Sequence, residues 1–311
     1  MESSRNDTKN RLPVYTDRDG DNSVITNKTG NKTILEVKNL CKHYPEFSLK
    51  DVSFTLCPGR ITGFIGRNGA GKSTTLNTLL GFVHSDAGTV RFFDNDPDSY
   101  RQRIGYVSGG IDYYPNKKLS KITEITKGFY KNWDQSAYLR YLKSFGLSED
   151  KTPRELSAGM KVKYALALAL SHGADLLILD EPTSGLDPIS RDELLDVFMD
   201  LRDEGKTILF STHITSDLDK CAENILYLRK GRIEADDTVD NLIKRFKIVD
   251  LDATLTAAQE NAMISRSRNR NGYTGLIRSE DSGLFSNSRT PDLEEIMIHL
   301  EKEKVNDKQT A

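Results

Sequence analysis

A chain of 311 residues with a formal net charge of −2 is long enough for one large domain or two smaller ones, and it has no general attraction for nucleic acid or anionic lipid. Hydrophobic residues make up 37% and charged residues 29%, as in a globular protein. No stretch approaches the ~18 consecutive apolar residues that a membrane-spanning helix needs. From the small net charge we expect no nucleic-acid partner. Cys41, Cys57 and Cys221 form neither a disulfide framework nor a zinc spacing, which indicates packing residues in a reducing cytosol.

The first part of the chain differs in composition from the rest. Residues 1–33 are rich in Asn, Asp, Thr, Ser, Arg and Lys and hold few large apolar groups. Because such a segment cannot bury enough surface to offset its loss of conformational entropy, we predict a disordered N-terminal arm. From Ile34, short β-rich runs alternate with helical ones, which predicts an α/β fold with a parallel core sheet. The predicted strands are 34–37, 52–56, 61–65, 89–93, 104–107, 176–179, 207–210 and 225–228.

Helical spacing is predicted after the third strand, over 73–80, and again over 119–146. A change in composition follows Phe246, where Ser, Arg and Asn become frequent, and a final amphipathic helix is predicted over 292–303. We therefore divide the ordered chain into a main domain, 34–245, and a small C-terminal accessory region, 246–311.

A glycine-rich loop follows the strand predicted over 61–65. It matches the phosphate-binding pattern GxxxxGK[ST], directly after an apolar strand and directly before a helix, which is the context that a P-loop requires. Its glycines let successive backbone N–H groups point inward, and the following helix adds its positive N-terminal end. We expect Lys72 to reach the β- and γ-phosphates and the Ser73 hydroxyl to bind Mg²⁺. The predicted nucleotide-binding residues here are Gly66, Arg67, Asn68, Gly69, Ala70, Gly71, Lys72, Ser73 and Thr74.

Two adjacent acids end the apolar strand predicted over 176–179. A buried strand has a structural reason for its leucines but none for Asp180 and Glu181 at its tip. Ligands of open α/β sheets bind at the carboxyl ends of strands. Asp180 is therefore suited to hold Mg²⁺, directly or through water, and Glu181 to orient and deprotonate an attacking water molecule.

The order of the remaining motifs resembles one family. Leu156-Ser157-Ala158-Gly159-Met160 is similar to the signature of ABC ATPases, and it precedes the acidic strand by about one helix. Residues 182–187 follow that strand as the family's D-loop does, and Ser211-Thr212-His213 occupies the place of its switch histidine. The resemblance covers about residues 34–245. It implies a P-loop ATPase of ABC type, with a parallel-core sheet, an antiparallel β part and a helical subdomain at about 110–172.

The resemblance also implies partners and roles. Ser157 and Gly159 of one copy would complete the γ-phosphate site of a second copy, either identical or related, with Asp187 also at the nucleotide. Tyr44 matches the aromatic that stacks on adenine, and Glu181 and His213 match the catalytic pair. The implied function is ATP binding and hydrolysis as a transporter subunit. It would lie beneath a polytopic membrane permease at the cytoplasmic face of the cell membrane.

Within the family, the sequence looks most like bacterial exporter ATPases of the antibiotic-resistance and acetoin-utilisation type, on the signature and on the tail around residues 293–297. It departs from the family at Gly109, where a Gln or Glu usually stands. Either Asp112 substitutes for that side chain, or the loop couples to the membrane partner by backbone motion.

Two alternatives stay open at this point. A soluble ABC-type ATPase outside transport, for example in iron–sulfur cluster assembly, would carry the same motifs. Translation factors of the family usually have two ATPase domains in one chain, and DNA-maintenance members have a very long insertion between the P-loop and the signature, and this sequence has neither. A nucleotide sensor with little turnover is the other alternative, because Gly109 lacks the usual side chain.

Overall fold

The computed structural model describes residues 33–93, 100–109, 114–251, 255–270 and 272–302. Apart from Thr33, the predicted N-terminal arm lies outside the described residues, and so does Asp112. Within the described part of the chain, no helix is both long and apolar enough to span a lipid bilayer.

Within the described residues, thirteen strands form three sheets. These are β1 Leu35–Tyr44, β2 Phe47–Leu56, β3 Ile61–Ile65, β4 Ala87–Phe92, β5 Ile104–Ser108, β6 Leu176–Asp180, β7 Thr207–Thr212, β8 Asn224–Arg229, β9 Arg232–Thr238, β10 Phe246–Leu251, β11 Met263–Asn269, β12 Gly272–Arg278 and β13 Ser288–Arg289.

In the part of the chain that the structure describes, nine α-helices with complete bounds lie between and after these strands. They are α1 Lys72–Leu79, α2 Leu119–Lys127, α3 Gln135–Ser144, α4 Ala158–Ser171, α5 Pro188–Asp203, α6 Thr215–Cys221, α7 Val239–Lys244, α8 Ala257–Ala262 and α9 Leu293–Lys302.

The central sheet has six strands in the order β5-β6-β7-β3-β8-β9. Its first five strands are parallel and β9 pairs with β8 in the antiparallel direction. β3 and β7 are buried over their whole length, as expected for parallel strands covered on both faces. The carboxyl ends of β3, β6 and β7 therefore meet at one edge, which positions the site described below.

A second sheet, in the order β2-β1-β4, is antiparallel and packs its apolar side chains against the central sheet. Together the two sheets and the helices confirm the predicted fold class. The first two strands are longer than predicted because β1 and β2 form a hairpin, in which backbone pairing continues to Tyr44 and Phe47 past the end of the alternating pattern.

Helices α2 and α3 replace the single helical stretch predicted over 119–146. The break between them is marked by Gly128, which ends α2, and by Asp134, whose carboxylate accepts hydrogen bonds from the Ser136 and Ala137 backbone N–H groups and caps α3. Thr123 on α2 bonds to Tyr138 on α3 and to Tyr164 on α4 through its buried hydroxyl. These bonds hold the helical segment together.

The C-terminal region contains a third sheet, in the order β11-β12-β10-β13, followed by α9. The predicted final helix is present, but the sequence did not predict these four strands. Leu293, Ile296 and Met297 on α9 belong to the same buried apolar cluster as Ile61 and Tyr227 of the central sheet. The C-terminal region and the main domain thus share one core, and the division at residue 245 stays a prediction.

Candidate nucleotide-binding and catalytic site

The loop between β3 and α1 is built around its glycines. Gly66 passes so close to β8 that an added Cβ would lie 2.3 Å from the Leu228 carbonyl oxygen. Gly71 adopts a φ of 111° at the N-terminus of α1, a conformation that an L side chain rarely adopts. The loop therefore needs glycine at both positions, and it points the open N-terminus of α1 at the cavity described below.

Lys72 is the first residue of α1, and its side chain is only 5% exposed. Its ammonium donates to the Gly66 carbonyl oxygen at 2.6 Å and lies 3.1 Å from Glu181 Oε1. The lysine is thus folded back over its own loop, in contact with the acid that follows β6. Its positive charge lies where phosphate oxygens would meet the loop.

Asp180 ends β6 next to Ser73. The Ser73 hydroxyl donates to Asp180 Oδ1 at 3.2 Å, and the Ser211 hydroxyl from the end of β7 donates to the same oxygen at 2.6 Å. The predicted metal ligands, Ser73 and Asp180, are therefore brought together. Their hydroxyl and carboxylate oxygens are the donor types that Mg²⁺ prefers, so this pair fits a magnesium ion.

Glu181 and His213 form a pair across the strand ends. His213 Nδ1 lies 2.8 Å from Glu181 Oε2. The backbone of Glu181 has a φ of 49°, the left-handed conformation, which costs a non-glycine residue about 1–2 kcal/mol. Its N–H donates to the Ser211 hydroxyl at 2.9 Å. Neighbouring segments therefore hold the acid in a conformation that it would otherwise avoid.

These groups line an open cavity of about 450 Å³. Glu181 and His213 contribute to its wall together with seven residues of the glycine-rich loop and α1, which are Arg67, Asn68, Gly69, Gly71, Lys72, Ser73 and Thr74. Phe47 and Ser184 also line it, and the sequence analysis missed both. Phe47 begins β2 opposite Tyr44 and would contact a Cβ at Gly71. Its aromatic character in the same hairpin turn was the available signal.

Some predicted residues lie outside this cavity wall. Ala70 is buried behind the loop, and Tyr44 is exposed at the end of β1 with the Lys42 ammonium 5.6 Å from its ring centre. Asp187 caps α5 by accepting hydrogen bonds from the Ile189 and Ser190 backbone N–H groups. Hydrogen bonds from Ser190 lower the pKa of the Asp187 carboxyl, which keeps the cap charged.

The signature-like residues lie at the start of α4, apart from the cavity. Ser157 caps α4, because its hydroxyl accepts a hydrogen bond from the Met160 backbone N–H at 3.2 Å. Gly159 lies beside Leu186 and Ser190, which are the nearest side chains to a Cβ added there. The structure thus brings the P-loop, Asp180, Glu181 and His213 together but leaves Ser157 and Gly159 outside the cavity wall of the same chain.

Gly109 follows β5, and its backbone N–H donates to the Asp180 carbonyl oxygen at 3.3 Å. Its φ of 53° is left-handed, and no atom lies within 4 Å of an added Cβ. Backbone conformation, not lack of space, therefore favours glycine there. Nearby, burial and then the negative charge of Asp180 raise the pKa of Tyr106.

The last helix also reaches this edge of the sheet. Glu301 on α9 accepts a hydrogen bond from the buried Tyr227 hydroxyl at 2.9 Å and lies 3.9 Å from an Arg67 guanidinium nitrogen. A second cleft, of about 570 Å³, lies between α9 and the glycine-rich loop and includes Ile298, Arg67 and His213 in its wall. The C-terminal region is thus in contact with the nucleotide-binding loop.

Known proteins match about two thirds of this chain. The family model described as ABC transporter matches residues 49–184. The ABC-type transporter ATP-binding protein EcsA of Bacillus subtilis is 32% identical over 228 residues, which is 70% of this chain and 92% of that protein. The Nod factor export ATP-binding protein I of Burkholderia lata is 33% identical, over 68% of this chain and 72% of that protein.

Solved structures agree with these relatives. The structure of an ATP-binding subunit of an ABC transporter matches with a TM-score of 0.60 and 30% identity, over 68% of this chain and 92% of that chain. The matched share corresponds in size to the main domain.

Proposed function

Since this chain belongs to the ABC transporter family, as one of its ATP-binding and ATP-hydrolysing subunits, we propose that it powers a separate membrane permease by pairing with a second ATPase copy around ATP. The observation that carries the proposal is the position of Glu181. Its carboxylate lies 3.1 Å from the P-loop lysine and 2.8 Å from His213, on the wall of the nucleotide-sized cavity.

The charged side chains of this cavity have separate roles in ATP hydrolysis. Lys72 and the N-terminus of α1 bind the β- and γ-phosphates. Glu181 accepts a proton from the attacking water, and His213 holds that carboxylate and contacts the γ-phosphate side. Ser73 and Asp180 hold Mg²⁺, which supplies positive charge to the phosphate oxygens when it is bound.

Pairing of two copies is supported by the place of the signature. Ser157 is exposed at the N-terminus of α4, and the buried Gly159 is the second residue of that helix, where backbone N–H groups and the helix dipole attract a phosphate. Because Ser157 and Gly159 lie outside the cavity of their own chain, the phosphate that they contact is the γ-phosphate of an ATP bound in the cavity of a second copy. Asp187, which caps the neighbouring helix α5, would lie at the same junction, with Tyr44 at the adenine.

Docking on a permease is supported by the helical segment. Phe129 is 74% exposed, and Ile125 on α2 and Leu139 on α3 are exposed as well, so this segment offers apolar surface that a permease would bury. We place the chain at the cytoplasmic face of the membrane through that permease. The finer assignment to exporters of the antibiotic-resistance and acetoin-utilisation type rests on the signature and the tail, with a relative named for export in support.

One substitution tests the catalytic part. Glu181→Gln keeps the shape of the side chain but removes the base, so turnover should fall at least ~100-fold while ATP binding persists. Steady-state release of phosphate and equilibrium titration with ATP measure the two quantities. Undiminished hydrolysis would remove Glu181 from its role.

The same variant tests the partner. Because it should hold ATP without hydrolysing it, tagged Glu181→Gln protein isolated with ATP from detergent-solubilised native membranes should carry a polytopic membrane protein in stoichiometric yield. Tagged Lys72→Ala protein is the matched control, since it should not form the ATP-held pair. Recovery of soluble assembly factors alone would contradict the permease proposal.

A further inference from the structure

Asp217 is a carboxylate with no exposed surface, close to the catalytic pair but outside the cavity. Its Oδ2 atom accepts hydrogen bonds from two buried hydroxyls, that of Thr183 at 2.6 Å and that of Thr212 at 3.3 Å. Its Oδ1 atom lies 2.8 Å from Arg191 Nε, in an ion pair without the alignment of a hydrogen bond. A buried carboxylate is costly unless it is paired in this way.

The partners of Asp217 come from the segments that carry the catalytic groups. Thr183 stands two residues after Glu181, and Thr212 stands immediately before His213. Arg191 lies on α5, and its guanidinium also bonds to the Ser216 hydroxyl beside Asp217. One carboxylate thus joins the chain after β6, the end of β7 and the start of α5.

Glu181 needs such support because its backbone is strained. On the N-terminal side of Glu181, the Ser211 hydroxyl accepts a hydrogen bond from the Glu181 N–H and so stabilises the left-handed φ of 49°. After the residue, the first side chain that is fixed to another segment is Thr183, and it is fixed to Asp217. Conformations of this kind persist only where surrounding contacts determine them.

We propose that Asp217 is a positioning residue for ATP hydrolysis, which sets the contact between Glu181 and His213 by binding Thr183 and Thr212 at the same carboxylate oxygen. It does not touch the nucleotide. The inference rests on the proposed role of Glu181 as the base, and it adds the group that fixes that base relative to the histidine.

The variant Asp217→Asn keeps the size of the side chain and removes its charge. Turnover at saturating ATP should fall at least ~10-fold, because displacements below 1 Å at a base cost rates of that order. The dissociation constant for ATP should change less than ~2-fold, since no group that contacts ATP is altered. A general loss of structure would weaken binding and turnover together.

A double-mutant cycle shows whether Asp217 acts through Glu181. In the Glu181→Gln background, Asp217→Asn should lower the residual turnover less than ~2-fold, because the base it positions is already absent. If the two losses multiply instead, Asp217 acts independently of Glu181 and the inference is wrong. Glu181→Gln alone measures the proposed function, so failure of the base and failure of its positioning give different results.

Threonine variants cover the case in which Asp217→Asn does not fold. Thr183→Val removes the hydroxyl and should lower turnover in the same way, whereas Thr183→Ser restores it and should bring turnover to within ~2-fold of the wild-type value. Thr123→Val is the matched control, because that buried hydroxyl bonds to Tyr138 and Tyr164 in the helical segment. It should lower the melting temperature without changing turnover. Equal turnover losses in Thr183→Val and Thr123→Val would overturn the inference.

Discussion

Removal of the Lys72 ammonium should weaken ATP binding to the isolated subunit by about 10- to 150-fold. A hydrogen bond to a charged group contributes about 1.5–3 kcal/mol, and about 1.4 kcal/mol corresponds to tenfold in affinity. The side chain is buried at the loop, so water cannot replace it easily. Lys72→Ala therefore loses the full contact with the phosphates.

The structure adds a second effect to this variant. Glu181 loses its neighbour at 3.1 Å, and its uncompensated charge then faces the bound phosphates. Repulsion between two unit charges a few ångströms apart is about 1 kcal/mol in bulk water and larger in partly buried space. The double variant Lys72→Ala with Glu181→Gln should therefore bind ATP at least about 5-fold more tightly than Lys72→Ala alone.

Equilibrium titration with ATP at short times, before turnover, measures these constants. Lys163→Ala is the matched control, since Lys163 is also a poorly exposed, ion-paired lysine, 2.8 Å from Glu193 and away from the cavity. Its affinity should equal that of the wild type. Affinity of Lys72→Ala within twofold of the wild-type value would refute the assignment of the phosphate site.

Three further results are expected. Ser157→Arg places a bulky cation at the start of α4. ATP should still bind the monomer, but no ATP-dependent dimer should appear in size-exclusion chromatography. A persistent dimer would contradict the second-copy proposal. Ile296→Asp buries an unpaired carboxylate in the shared core, so calorimetry should show one unfolding transition at a lower temperature, and an unchanged main transition would mean separate cores. Burial raises the pKa of Cys221 to about 12, which leaves almost no thiolate at pH 8. A thiol reagent should therefore label the partly exposed Cys41 and Cys57 of the folded protein first, and early labelling of Cys221 would refute this.

The edge of the sheet at the P-loop was predictable because short-range sequence patterns determine its strand, loop and helix. An apolar run, a glycine-rich loop and a capped helix each have a short-range signature, so the strand Ile61–Ile65 has its predicted bounds and α1 is shifted by one residue. Asp180 was predicted at a strand tip, and it ends β6.

Contacts between distant segments were not predictable from local patterns. Phe47 reaches the cavity through the pairing of β1 with β2, and Asp217 meets Thr183 across 34 positions of sequence. The strands after residue 246 were missed because their polar residues alternate weakly, and pairing between β11 and β12 decides their conformation. Contact of Tyr44 and of the signature residues with ATP stays a prediction, because these residues do not line the cavity of their own chain.

The contact between α9 and the glycine-rich loop makes the C-terminal region a convenient place for a spectroscopic reporter. Ile298 is 41% exposed and lies in the wall of the cleft that also includes Arg67 and His213. A small fluorophore attached through Ile298→Cys, in a protein whose other cysteines are replaced, would therefore sense the loop directly. Its emission should change when ATP binds and again when phosphate leaves, which gives the rate of each step without a label on the nucleotide.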